Sequence, residues 1–73
     1  MSRRYDIICQ IATFCAEREI EQSETVELIH DVLDVAGQSA YDYCDEKSVE
    51  EEMKNIQDNV ASIYGRVIGY KTP

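Results

Sequence analysis

The stretch ETVELIHDVLDVAGQSAYDYCDE (residues 24–46) decides how this chain is read. Its carboxylates Glu24, Glu27, Asp31, Asp34, Asp42 and Asp45 recur at steps of three, four, three, eight and three residues, with Gln38 as the one interruption. At about 100° per residue these positions project within one sector of an α-helix. The opposite side carries Val26, Leu28, Ile29, Val32, Leu33, Val35, Ala36, Ala40, Tyr43 and Cys44. Ser23 is a suitable N-cap. Gly37 lies inside the pattern, where glycine costs about 1 kcal/mol relative to alanine. The apolar phase nevertheless continues through it. The stretch therefore reads as one amphipathic helix with an acidic stripe about 32 Å long, at 1.5 Å of rise per residue.

Two more helical patterns flank it. Downstream, Val49, Met53, Ile56, Val60, Ile63 and Val67 alternate steps of four and three, which is a heptad seam. Ser48-Val49-Glu50-Glu51 fits a capping box, Glu50 to Glu52 suit the positive end of the helix dipole, and Gly69 is the expected stop. Upstream, Tyr5, Ile7, Ile8, Ile11, Ala12, Phe14 and Cys15 occupy about half of a helical wheel. The expected helices cover about 3–19, 24–46 and 49–68. Their short connections make sequential helices antiparallel neighbours. The expected fold is all-α, a small up-down-up three-helix bundle forming a single domain over residues 1–73.

A chain of 73 residues buries only roughly 60% of its unfolded surface, so its core is marginal. The first two helices each offer nearly 180° of apolar arc, more than a bundle of this size needs. Small residues also recur every fourth position at Ala12 and Ala16, Ala36 and Ala40, and Ala61, Gly65 and Gly69. Both features lead to the expectation of a homodimer, which would also supplement the core.

The net charge is −8, concentrated in residues 21–52, where eleven acids face a single lysine, Lys47. Such a surface repels nucleic acid and anionic membranes and attracts basic partners. No segment has the length of a transmembrane helix. The start, Arg3-Arg4-Tyr5-Asp6, precedes no long apolar run, so no signal peptide is expected. Cys9, Cys15 and Cys44 are odd in number and lack a Cys-x-x-Cys spacing, which favours free thiols and a cytoplasmic location.

Little in the sequence carries reaction chemistry. His30 is the only histidine, and its helical neighbours Glu27 and Asp34 make it a surface ion-pair member. A metal site needs three or four convergent ligands. No serine lies in a nucleophile motif, no glycine-rich phosphate loop is present, and a chain this small hardly walls off a pocket. No enzyme activity, cofactor or metal is expected.

The expected function is protein binding, with Glu27, Asp31, Asp34, Asp42 and Asp45 forming the contact surface for a basic partner. In size and charge the chain resembles the small acidic helical inhibitors carried by phages and plasmids. That resemblance implies an inhibitor or regulator of a basic, nucleic-acid-handling target. An alternative site gathers Arg18, Arg66 and Lys71 at one end of the bundle near Tyr64 and Tyr70. Across an oligomer interface these residues would hold an anionic nucleotide, with tyrosine stacked on the base. A third reading is a structural subunit whose apolar seam docks into a larger assembly.

Overall fold

Periodic apolar residues give three helices: α1 (Arg3–Glu17), α2 (Gln22–Val35) and α3 (Glu46–Lys71). The computed structural model describes residues 3–39 and 46–71, with side chains to residue 69, and the described residues contain no strand. Ile8, Ala12, Cys15 and Ala16 of α1 meet Val26, Ile29 and Leu33 of α2. Ile56, Val60, Ile63 and Tyr64 of α3 complete the core. Full burial of each large aliphatic side chain contributes about 1.5–3 kcal/mol. Ala12 and Ala16 thus serve packing inside the monomer, whereas Ala61, Gly65 and Gly69 are exposed.

Side-chain contacts fix the topology. Arg4, in the first turn of α1, reaches Glu52 and Asn55 in α3 and the Gln38 carbonyl just beyond α2. Tyr64, late in α3, reaches Ile20 and Thr25 at the turn between α1 and α2. Hence α1 and α3 run parallel and α2 runs against both, which is the expected up-down-up order, although ten residues separate α2 from α3 and only the α1–α2 connection is short.

The expected helix boundaries need correction. The second helix stops at Val35 and does not continue to residue 46. Gly37 adopts φ +68°, the left-handed conformation that glycine enters at low cost. The Gln38 N–H then donates to the Leu33 carbonyl at 2.8 Å, and the Gly37 N–H to the Asp34 carbonyl at 3.1 Å. This is a Schellman cap, which satisfies carbonyls that a helix end leaves unpaired. α1 closes in the same way. Glu19 has φ +58°, the Ile20 N–H donates to the Cys15 carbonyl at 3.0 Å, and the Glu19 N–H to the Ala16 carbonyl at 3.2 Å. α1 therefore ends at Glu17 and not at Glu19.

The N-termini differ from expectation too. α2 starts at Gln22 with Glu21 as N-cap, so Ser23 lies inside the helix. α3 starts at Glu46, which places Ser48 inside it and removes the capping box. α3 runs through Gly69 to Lys71. Its 26 residues make it the long axis of a molecule measuring 45 × 22 × 18 Å.

Candidate partner-binding surface

Burial of Thr25, Val26, Ile29 and Leu33 fixes the rotation of α2. Residues about half a turn from that face must point to solvent. Glu24, Glu27, Asp31 and Asp34 do so, and all four are exposed. Neighbours in this row stand about 5–6 Å apart at their Cβ atoms. The row extends for about 15 Å along the helix axis. His30 Nδ1 lies 3.6 Å from Asp31 Oδ1, and among the described residues no lysine or arginine meets any of the four carboxylates.

Of the expected contact residues, the structure brings Glu27, Asp31 and Asp34 together on one helix. Asp42 and Asp45 lie outside the described residues. A single 32 Å stripe is overturned, because the left-handed turn at Gly37 ends the helical phase that would have carried it past Asp34.

Beside the acidic row runs a feature assigned from the sequence to the apolar, neighbour-facing side. Leu28 is 47% exposed and Val35 is 89% exposed, with Val32 half-buried between them. These three lie at i, i+4 and i+7, so they form one line along α2. Asp31, Val32, Val35 and Ala36 border an open apolar recess of about 290 Å³. The line and the row of carboxylates sit about a quarter of the circumference apart, at 100° per residue.

The alternative ligand set is dispersed. Tyr64 is only 4% exposed. Its hydroxyl donates to the Ile20 carbonyl at 2.6 Å and lies 2.5 Å from Thr25 Oγ1. Its ring is therefore unavailable for stacking on a base. The Arg18 guanidinium stacks 3.5 Å from the centroid of the Phe14 ring and donates to the Phe14 carbonyl at 3.0 Å, capping the end of α1. Arg66 opens onto a recess of about 390 Å³ with Cys9, Thr13, Ile63 and Val67. The adjoining recess of about 480 Å³ is lined by Cys9, Gln10, Thr13, Phe14, Glu17 and Arg18. The side chains of Tyr70 and Lys71 lie outside the described set. Cys9 and Cys15 carry free thiols, and Cys44 falls among the undescribed residues.

Sequence reasoning passed over two polar clusters inside the bundle. One is the buried Arg4–Glu52 pair and the other is Thr25 with Tyr64. Glu52 was legible: it stands four residues before Ile56 and so shares its face. The meeting of Thr25 and Tyr64, 39 residues apart, carried no local signal.

Among the described residues no group of histidines, cysteines and carboxylates is arranged to hold a metal ion. No described helix is long and apolar enough to cross a membrane. No family model, curated protein or solved structure matches the chain.

Proposed function

We propose that this protein is a non-catalytic, cytoplasmic binding module that inhibits or regulates a basic, nucleic-acid-handling protein. The observation that carries this reading is the row Glu24, Glu27, Asp31 and Asp34. These are four exposed carboxylates on one rigid helix, unmatched by lysine or arginine among the described residues. Like charges three or four residues apart destabilise a helix by a few tenths of a kcal/mol per pair. A surface cation would relieve that repulsion, and a basic partner supplies several at once. Long-range attraction to such a row also accelerates encounter. Self-association as a homodimer is proposed through apolar side chains exposed away from α2, namely Tyr5 on α1 and Ile68 on α3.

The test is a charge reversal. Asp31→Lys with Asp34→Lys is expected to leave the thermal unfolding curve nearly unchanged. The unmodified chain is expected to capture basic host proteins at low ionic strength, and the reversal should abolish that salt-sensitive capture. Equal capture by both forms would remove the acidic row from the function.

The recesses bordered by Arg18 and Arg66 favour a second reading, a binder of small anions. A rise in melting temperature with nucleotides or inorganic phosphate would support it.

A further inference from the structure

We propose that the face of α2 receives a basic amphipathic helix. The apolar ridge of that helix lies along Leu28, Val32 and Val35, and its lysines or arginines fall on Glu24, Glu27, Asp31 and Asp34. This deepens the proposed function and rests on its reading of the carboxylates as partner-facing.

Charge complementarity selects the occupant. The apolar line has an anionic row along one side, and every one of its carboxylates is exposed. A second copy of the same face would bring two such rows together, and like-charge juxtaposition costs several kcal/mol. Nucleic acid and anionic membranes are disfavoured for the same reason. The occupant must therefore be cationic beside its apolar contact.

Backbone chemistry selects its form. An extended peptide docks by adding to a sheet edge, where its N–H and C=O groups find partners. α2 is a helix whose own backbone groups are already bonded, so it offers no such edge. A helical ligand satisfies its backbone internally. Its side chains at i, i+3 or i+4, and i+7 match the spacing of Leu28, Val32 and Val35. The recess bordered by Asp31, Val32, Val35 and Ala36 takes one aliphatic side chain of the ridge.

The test uses the isotope-labelled full-length protein and three synthetic lysine-rich peptides of equal charge. The first carries leucines along one helical face, the second carries the same residues scrambled, and the third has no leucine. The first peptide is expected to bind about tenfold more tightly than the others, with amide shifts concentrated at residues 28–36. Val35→Ser removes most of that advantage and leaves binding of the leucine-free peptide unchanged. Equal affinity for all three peptides overturns the helix-docking inference and leaves the electrostatic reading standing. No binding by any of them overturns both. Shifts centred on α1 or α3 overturn the inference, as does a concentration-dependent dimer that Val35→Ser dissolves, since a second copy would then occupy this face.

Discussion

Arg4 Nη1 and Glu52 Oε1 lie 2.5 Å apart, with the Glu52 side chain wholly shielded from solvent and that of Arg4 only 15% exposed. The same guanidinium donates to Asn55 Oδ1 at 2.9 Å and to the Gln38 carbonyl at 3.3 Å. One side chain thus ties the start of α1 to α3 and to the cap that ends α2. It holds α2 from the end opposite to the Thr25 and Tyr64 cluster.

Breaking this pair from one side should be severe. Arg4→Ala leaves a buried carboxylate without its guanidinium, a change that costs about 3–5 kcal/mol. That is a large share of the stability of so small a domain. Urea unfolding should show a much lower midpoint or no cooperative transition. The double variant Arg4→Met, Glu52→Leu should recover most of the loss, because a buried ion pair replaced by apolar groups of similar volume is often neutral or better. A loss below about 1 kcal/mol for Arg4→Ala would mean the pair contributes no more than a surface one.

Tyr64→Phe tests the second polar cluster. Three short contacts share two hydroxyl protons, and their assignment follows from the neighbours. The Tyr64 hydroxyl donates to the Ile20 carbonyl at 2.6 Å, the Thr25 hydroxyl donates to the Glu21 carbonyl at 3.0 Å, and the two hydroxyl oxygens lie 2.5 Å apart. The Glu21 carbonyl also accepts from the Thr25 N–H at 3.1 Å. Removing the Tyr64 hydroxyl takes the side-chain donor from the Ile20 carbonyl and one of its two contacts from the Thr25 hydroxyl, for an expected loss of about 1–3 kcal/mol. Thermal melts of Tyr64→Phe, Thr25→Val and the double variant should show strong coupling, with the double variant less destabilised than the sum. Additive losses would show that the two hydroxyls do not interact.

The two left-handed caps give opposite expectations. At Gly37 an added Cβ meets nothing within 4 Å, so Gly37→Ala acts through conformation alone and should destabilise by about 1–2 kcal/mol. Glu19 already bears that strain, and its negative charge sits beside the negative end of the α1 dipole. Glu19→Gly should therefore raise stability by about 1 kcal/mol. Chemical denaturation of both variants checks the pair, and a destabilising Glu19→Gly would contradict the cap assignment.

Gly65 lies within α3, and a Cβ there also meets nothing within 4 Å. Gly65→Ala should stabilise the helix by about 0.5–1 kcal/mol. Sedimentation of the same variant examines the exposed line Ala61, Gly65 and Gly69. An unchanged mass distribution is expected if that line is ordinary surface. Dissociation of a dimer would instead show two α3 helices in close approach there.

The heptad seam of α3 was legible from Met53 onward, because Ile56, Val60 and Ile63 reach the core and Met53 and Val67 pack against it, whereas Val49 is half-buried outside that cluster. The acidic row of α2 was legible only up to Asp34. Ala36, Ala40, Tyr43 and Cys44 keep a helical spacing in the sequence, and that spacing concealed the stop. The useful signal was Gly37 followed by Gln38 and Ser39, since glycine just past a helix end is the commonest cap residue. A residue with positive φ turns the chain away from the helix axis, so spacing counted across it no longer reports a shared face.

Periodicity and charge alone determined that this chain forms three helices around an apolar seam and that its second helix displays carboxylates opposite buried aliphatic residues. Those properties are local, since they follow from 3.6 residues per turn and the hydrophobic effect. The tertiary structure decided which part of each wide apolar arc is covered. A helix with only two neighbours buries one sector, which hides Val26, Ile29 and Leu33 and leaves Leu28 and Val35 in water. It also decided which polar side chains are drawn inside, because Arg4 and Glu52, or Thr25 and Tyr64, become partners only when distant turns of the chain are packed together.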